Sequence, residues 1–383
     1  MKNRLSNSQI RMYSECGKKY KLHYVDRLRS TMIHGALIFG SAIDRALNHL
    51  LETKDLKASI QLFDKSFRFQ SINNEPTYIP SSTNVVYSQR DFDKDLLQPE
   101  DIVKYRELKE KLGMGNESNP ADDLSYFMKI KKESGIKALS FEERKLYAYS
   151  NWLSMRRKGH IMIESYNKKV LPKIKNVLAI QKGIEIKNTD GDSITGFLDL
   201  IVEWEDGKRY LLDNKTSAMK YESDSAMRSQ QLILYYYAEK ETYKLDGVGF
   251  IVMYKNIDKN KIKICSQCGK DGTGQRHKTC DNEILDTNNG APVMTAKRCN
   301  GEWMETISPE AIIETILNPI SEAAESLVLE AFDEANFGIK NQTFNPNLQA
   351  CGNENFKCQY FNKCWLGSDE DLIVLEKKET KDV

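Results

Sequence analysis

An aspartate and a lysine, Asp213 and Lys215, lie two residues apart at the end of an apolar segment. In a β-strand, residues two apart share a face at a spacing of about 6.6 Å, so both side chains point the same way. Asp199 ends the preceding apolar segment, and a short turn would bring the two segments together as a hairpin. Two carboxylates and the main-chain carbonyl of Asn214 would then form an oxygen-rich site suited to Mg²⁺ or Mn²⁺.

Such a site is typical of phosphodiester hydrolysis. A divalent ion polarises a phosphoryl oxygen and acidifies bound water, while a nearby lysine orients that water or stabilises the developing charge. Taken alone, however, an acid and a lysine at this spacing are more often a simple ion pair at a strand end. The choice between the two interpretations depends on residues elsewhere in the chain.

Three residues outside the hairpin support a functional site. Asp44 lies at the edge of the apolar stripe of a helix predicted over residues 38–53, where a solvated acid is not expected. Gln231 and Tyr235 are four residues apart on a helix predicted over residues 224–243, so they share one face. A third carboxylate and a polar pair could therefore join the hairpin acids.

The elements that must position these residues form six consecutive regions. The predicted strands are Ile184–Ile186, Ile194–Glu203, Arg209–Asp213 and Val248–Tyr254, which with the helices give an α/β fold. The predicted regions are N-terminal helices (1–54, with a helical segment at 5–29), a helical insertion (55–180), the catalytic α/β core (181–257), a cysteine-rich insert (258–305), a C-terminal helix at about 308–334 with a cysteine segment (306–367), and a charged tail (368–383).

Charge and composition limit the possible partners. The net charge is +1, so contacts with nucleic acid must come from local patches such as the basic residues within 1–29. The chain contains no phosphate-binding loop of the kind that a built-in ATP motor needs. It also contains neither a signal-peptide pattern nor an apolar run of the roughly 20 residues that span a membrane. We therefore expect a cytoplasmic protein with no membrane partner.

Eight cysteines need an explanation, because disulfides are uncommon in the reducing cytoplasm. They fall into two sets of four, and metal binding accounts for both. The first set combines one cysteine near the start of the chain with three near its end, and the second set lies within the insert. The two sets are Cys16, Cys351, Cys358 and Cys364, and Cys265, Cys268, Cys280 and Cys299.

The second set begins with a Cys-x2-Cys pair that resembles a zinc knuckle. Four thiolates around a tetrahedral Zn²⁺ ion are the natural product of such a set in a reducing compartment. Free cysteines in a loop are the alternative interpretation.

The motifs occur in an order that resembles the RecB-type nucleases of the PD-(D/E)XK superfamily, similar to CRISPR-associated RecB-like exonucleases and the AddB nuclease module. Each motif is weak alone, and their common order carries the resemblance. The motifs are Leu5-Ser6-Asn7-Ser8-Gln9-Ile10 leading to Cys16, Gly40–Asp44, Gly196–Asp199, Asp213–Lys215 and Gln231–Tyr235.

The resemblance implies a restriction-endonuclease-like mixed sheet flanked by helices. It also implies that Asp199 and Asp213 are metal ligands and that Lys215 is the catalytic lysine. Gln231 and Tyr235 would support the site or position DNA. The family usually has a histidine ligand where this chain has Asp44, and an aspartate can also bind a hard cation.

The resemblance further implies that the first cysteine set holds a [4Fe–4S] cluster, for which four thiolates are suitable ligands. Such a cluster would close a loop of over three hundred residues. Cys351 and Cys358 are separated by six residues where the family usually has two, so zinc and unliganded thiols remain alternatives.

Together these features predict a Mg²⁺- or Mn²⁺-dependent deoxyribonuclease. The resemblance favours an exonuclease that acts on single-stranded or duplex DNA ends in replication, recombination or repair, with proteins of those processes as further partners. Two other functions stay open: a catalytically inactive adaptor of the same fold that binds DNA or a partner, and an RNA-processing nuclease.

Overall fold

The computed structural model describes residues 4–31, 33–68, 78–79, 99–114, 120–135, 138–187, 191–257, 261–265, 271–272, 285–286, 293–294, 303–307, 310–353, 356–370 and 372–375. Within these ranges, none of the helices is long and apolar enough to cross a membrane. The helices are α1 (Asn7–Glu15), α2 (Gly17–Tyr20), α3 (Gly35–Thr53), α4 (Leu56–Ser66), α5 (Pro99–Lys111), α6 (Pro120–Ser134), α7 (Phe141–Lys169), α8 (Gln230–Tyr243), α9 (Glu322–Lys340) and α10 (Phe361–Leu366), with a π-helical turn at Lys21–Val25 and 3₁₀ turns at Leu171–Lys173 and Leu348–Cys351.

The strands range from two to fourteen residues in length. They are β1 (Arg4–Ser6), β2 (Leu28–Ser30), β3 (Ile33–His34), β4 (Tyr78–Ile79), β5 (Ile174–Lys187), β6 (Ser193–Trp204), β7 (Arg209–Ser217), β8 (Gly247–Tyr254), β9 (Lys261–Cys265), β10 (Asp271–Gly272), β11 (Leu285–Asp286), β12 (Val293–Met294), β13 (Trp303–Ile307), β14 (Ile313–Asn318), β15 (Gly352–Asn353), β16 (Phe356–Lys357) and β17 (Leu372–Val374).

A mixed sheet of six strands is the main sheet of the described residues. Strand β6 pairs with β5 along its length, and its other edge is shared by β1 at one end and β7 at the other. The pairs β5–β6, β6–β7 and β8–β14 are antiparallel, whereas β1–β6 and β7–β8 are parallel. The predicted mixed α/β class is therefore confirmed.

Helices pack on both faces of this sheet because its strands alternate between two hydrophobic clusters. Leu200, Val202 and Leu212 lie in a cluster with residues of α3, α4 and α7. Ile201 and Leu211, the intervening residues, lie in a second cluster with residues of α1, α8 and α9. This alternation is the period of two expected for strands covered on both sides.

Several expectations about secondary structure differ from the observed elements, among them the helix predicted at 224–243, which begins only at Gln230. Strand β5 begins at Ile174, inside the range 55–180 that was predicted to be helical. The helix predicted at 308–334 was wrong in its first part, because residues 313–318 form β14 and α9 begins only at Glu322. The β-branched residues Ile313 and Thr315 complete the sheet by pairing with β8, so tertiary pairing decided the conformation of this segment.

A charged cluster attaches α4 to α7. The Arg156 guanidinium donates hydrogen bonds to both carboxylate oxygens of Asp64, at 2.7 and 3.0 Å, and His160 Nε2 lies 2.8 Å from Asp64 Oδ1. Burial alone would raise the pKa of Asp64, but hydrogen bonds from His160 and Arg156 lower it to about 2. The ionised carboxylate therefore stabilises the folded chain.

We expect Asp64→Asn to lower the free energy of unfolding by about 2 kcal/mol at pH 7, because the buried Arg156 loses its counter-charge. The folded-state pKa lies below the unfolded value of about 3.9, so this stabilisation is complete above pH 4 and is lost as the pH falls toward 2. Urea unfolding of both proteins between pH 7 and pH 2.5 measures the difference. The difference in free energy of unfolding between wild type and Asp64→Asn should shrink as the pH falls below about 4. The control variant Glu52→Gln, at an exposed position, should match wild type at every pH.

Candidate active site

The hairpin of β6 and β7 brings two predicted acids to adjacent strands. Leu200 pairs with Leu212, so Asp199 and Asp213 occupy the next position on each strand. Asp213 is only 4% exposed, and Lys215 forms an ion pair with it. The Lys215 ammonium also lies 5.7 Å from the centre of the Phe250 ring. One acid and the lysine thus share one partly enclosed position on β7, between β6 and β8.

Helix α3 brings the third acid, Asp44, to the same position. Ile43 and Leu47 bury the apolar face of α3, and Asp44 lies at the margin of this face. Asn48 Nδ2 donates a hydrogen bond of 3.3 Å to Asp44 Oδ2. Gln181 Nε2 of β5 lies 3.3 Å from Asp44 Oδ2 and 3.4 Å from Asp199 Oδ1, so it bridges the helix acid and a strand acid.

Burial and neighbouring carboxylates raise the pKa values of Asp44 and Asp199. Burial, followed by the neighbouring Asp213 and then Asp44, raises the pKa of Asp199 to about 9. Burial and Asp213 likewise raise the pKa of Asp44, against the opposing effects of Asn48 and Lys215. Carboxylates that share a buried site cannot all ionise without a compensating positive charge. The cluster is therefore electrostatically suited to a cation.

Lys215 supplies part of this positive charge. Burial alone would lower the pKa of its ammonium, but Asp213 and Asp199 raise it above the ordinary value. The lysine is therefore protonated at neutral pH, and it can donate hydrogen bonds to an oxygen that enters the site.

Helix α8 closes the site from the second hydrophobic cluster. Tyr235 packs against Gly196, where an added Cβ would lie 2.4 Å from the Tyr235 hydroxyl oxygen. Burial and then Asp199 raise the pKa of this tyrosine to about 12, and a hydrogen bond with Gln231 opposes them. Gly196, which belongs to one motif, therefore leaves the space that Tyr235, which belongs to another, occupies.

The structure brings most of the predicted site residues together. Asp44 of α3 meets Asp199, Asp213 and Lys215 where the neighbouring strands β6 and β7 carry them, and Gln231 and Tyr235 approach from α8. Asn214 lies on β7 between Asp213 and Lys215, and its backbone pairs with Ile251 of β8 while its side chain lies beside Tyr166. Gln181 was missed, because no local motif marks it and it lies just before the first predicted strand of the core, Ile184–Ile186.

A comparison with protein-family models matches residues 4–364 to the PD-(D/E)XK nuclease superfamily. The chain belongs to this superfamily. The predicted superfamily is thereby confirmed, and with it the general class of nuclease, a hydrolase that acts on nucleic acid. PD-(D/E)XK nucleases typically depend on divalent metal ions such as Mg²⁺.

Two further comparisons add little to this membership. No curated protein has significant sequence similarity to this chain. A solved structure described as "Crystal structure of SSO0001" is 14% identical and covers 62% of this chain and 84% of that chain, with a TM-score of 0.24. At this TM-score, the structural similarity supports no conclusion about the PD-(D/E)XK nuclease.

The first cysteine set of this PD-(D/E)XK nuclease lines one cavity that is partly open to solvent. The four thiols are free, and burial raises the pKa values of Cys358 and Cys364. Two backbone amides, those of Lys19 and Asn347, donate hydrogen bonds to Cys16 Sγ at 3.4 and 3.3 Å. Residues from both ends of the chain therefore meet around the sulfur atoms.

Other contacts hold the two ends of the chain together beside this cavity. The backbone amide of Lys18 donates to the carbonyl of Asn345 at 3.2 Å, and the Tyr20 and Phe344 rings stack with centres 5.9 Å apart. Strand β2 pairs with β17. The cysteine cavity thus lies within an interface that has packing and hydrogen bonds of its own.

As folded, the described residues include no group of three or more His, Cys, Asp or Glu side chains arranged to hold a metal ion. The structure does not describe most of the predicted zinc set, because Cys268, Cys280 and Cys299 lie outside the described residues. For Cys265 only the backbone is described, at the end of β9. The zinc interpretation of these four cysteines stays a prediction.

Proposed function

We propose that this PD-(D/E)XK nuclease is a Mg²⁺- or Mn²⁺-dependent deoxyribonuclease of the RecB-like type that degrades DNA from its ends in replication, recombination or repair. The observation that carries the proposal is the meeting of three aspartates from α3, β6 and β7, of which Asp213 is buried and the others half-buried, beside a protonated lysine. An ordinary strand-end ion pair would need only Asp213 and Lys215. The two further carboxylates, held at an electrostatic cost, favour a cation site.

The donor set is chemically suited to a hard divalent cation, although the described side chains are not arranged around one. Asp44, Asp199, Asp213 and the main-chain carbonyl of Asn214 offer only oxygen ligands, which Mg²⁺ and Mn²⁺ prefer. Aspartate in place of the family's usual histidine keeps the set uniformly oxygen-based. When bound, the ion would supply Lewis-acid polarisation of the phosphoryl group and a more acidic water.

The protein side chains have separate roles in the proposed reaction. The Lys215 ammonium would donate to the attacking water or to the developing negative charge on the phosphate. Tyr235, packed on Gly196 and hydrogen-bonded to Gln231, would support the strand that carries Asp199 or position the DNA. The basic N-terminal segment and the helices between α3 and β5 would guide a DNA strand toward these groups.

An exposed aromatic ring lies beside the site. Phe197 is 66% exposed on β6 and lies over Gly183 of the paired strand. It lies two residues before Asp199, a separation of about 6.6 Å along a strand. Bases of single-stranded DNA stack on rings of this kind, so we propose that Phe197 contacts the base next to the cleaved phosphate.

Phe197→Ala should raise KM for single-stranded DNA about 5- to 50-fold and leave kcat within about twofold, because one base-stacking contact is lost. Steady-state cleavage of a fluorescent oligonucleotide measures both constants. Phe337→Ala is the matched control, since Phe337 is 71% exposed on α9, and this variant should match wild type. An unchanged KM in Phe197→Ala would exclude the stacking contact.

We also propose that Cys16, Cys351, Cys358 and Cys364 hold a [4Fe–4S] cluster. The four thiols line one cavity, and two backbone amides donate hydrogen bonds to the Cys16 sulfur. Such hydrogen bonds are typical around cluster sulfurs, where they set the reduction potential. The residues around the cavity would hold the group and tie both chain ends together. The second cysteine set is proposed to bind Zn²⁺.

Cleavage assays with defined substrates test the proposed function. We expect linear single-stranded or duplex DNA to be degraded in Mg²⁺ or Mn²⁺ but not in EDTA, and closed circular DNA of the same sequence to stay intact. Cutting of the circle would show an endonuclease instead. Faster cleavage of RNA than of DNA would favour an RNA-processing enzyme. DNA binding without cleavage in any divalent metal would favour the inactive adaptor.

A further inference from the structure

We infer that Gln181 is a positioning residue whose side-chain amide holds Asp44 and Asp199 beside each other at the proposed cation site. The inference rests on the proposed function, because it assigns a role within the same metal site. The side chain donates toward one carboxylate on a helix and another on a strand, at 3.3 and 3.4 Å. Those carboxylates are 155 residues apart in the chain, and Gln181 hydrogen-bonds to both.

The backbone of Gln181 directs the side chain toward the acids. Ile180 pairs with Leu200 and Lys182 with Leu198, so Gln181 lies directly opposite Asp199 on the neighbouring strand. Its φ angle is +47°, in the left-handed region that residues other than glycine rarely adopt. A residue held in this conformation inside a strand is characteristic of functional sites, where the surroundings maintain the strain.

The chemistry of glutamine suits this position. Ionised carboxylates only accept hydrogen bonds, so the two hydrogens of one amide nitrogen can go one to each acid. Each donated bond engages one carboxylate oxygen and leaves the other oxygen available to a cation. A lysine or arginine here would add a positive charge that competes with the ion. The neutral amide aligns both acids and leaves their charge available.

The variant Gln181→Gly distinguishes a positioning role of the side chain from an ordinary structural role. Gln181→Gly removes the amide but accepts the positive φ without strain, so its Tm should equal or exceed that of wild type. Loss of the amide should raise the Kd for Mn²⁺ about 10- to 100-fold, which is typical when a partner of a metal ligand is removed. Gln342→Gly is the matched control, since Gln342 is exposed at φ +53° after α9 and its change should leave the Kd unaltered.

The experiment measures Mn²⁺ binding by titration calorimetry, Tm by scanning calorimetry and DNA cleavage, for the full chain and both glycine variants. A Gln181→Gly protein that keeps the wild-type Kd and cleavage rate overturns the role of Gln181 and leaves the proposed function intact. A Gln181→Gly protein with a lowered Tm and a proportionate loss of binding also overturns it, because the side chain is then only structural. A wild-type chain that neither binds Mn²⁺ nor cleaves DNA overturns both proposals.

Discussion

Replacing Lys215 by alanine should lower kcat for DNA cleavage about 1,000-fold, as expected when one donor to a developing oxyanion is lost. The lysine ammonium is held beside Asp213 and kept protonated by Asp213 and Asp199. Removing it takes away the positive charge that would orient the attacking water or stabilise the charge developing on the phosphate. Single-turnover cleavage of linear DNA at saturating Mn²⁺ measures the effect.

Binding of Mn²⁺ should persist in Lys215→Ala, because none of the proposed oxygen ligands is altered. Lys208→Ala serves as the matched control, since Lys208 is an exposed lysine in the turn of the same hairpin, at the end away from the acids. Its cleavage rate should equal that of wild type. Equal rates for Lys215→Ala and wild type would contradict the catalytic assignment, and a loss of Mn²⁺ binding would indicate a damaged site.

Replacing Cys16 by serine should abolish the brown colour of anaerobically purified protein and lower its stability more than Asp64→Asn does. Cys16 is the only cysteine of its set from the N-terminal part of the chain, so its loss opens the proposed link to Cys351, Cys358 and Cys364. On chain-entropy grounds, a cross-link that closes a loop of this length stabilises the fold by about 5 kcal/mol. Visible absorbance, iron content and Tm measure the outcome.

Cys268→Ser is the matched control, because it belongs to the second cysteine set. This variant should keep the visible absorbance of the cluster and lose zinc. A colourless wild-type protein that contains zinc and no iron would contradict the cluster. The contacts of Lys18 with Asn345 and of Tyr20 with Phe344 do not involve sulfur, so the two chain ends should retain part of their contact in Cys16→Ser.

The hairpin acids illustrate what could be predicted before any coordinates. Asp213 and Lys215 were expected on one side of a strand, and the structure joins them in an ion pair. Gln231 and Tyr235 were expected on one helical face, and Tyr235 fills the space beside Gly196. These relations are local, since periods of 2 and 3.6 residues determine which side chains share a face. Their catalytic roles stay predictions.

Gln181 and β14 illustrate what could not be predicted. Gln181 has no recognisable motif, and its position depends on pairing between β5 and β6 and on a backbone conformation that glutamine rarely adopts. Residues 313–318 were expected to be helical, but they form a strand because β8 offers them an open edge. In both cases a strand distant in sequence determined the local conformation, and local propensity contains no information about such a partner.

By itself, the amino-acid sequence determined the order of the motifs, the superfamily and the candidate residues of the site, because each motif is a short pattern of chemically suitable side chains. Only the tertiary structure decided that Asp44 meets Asp199 through Gln181, and that cysteines from the two ends of the chain line one cavity. The physical reason is that a cation site or cysteine cavity depends on distances between atoms, and those distances are set by strand register and helix packing.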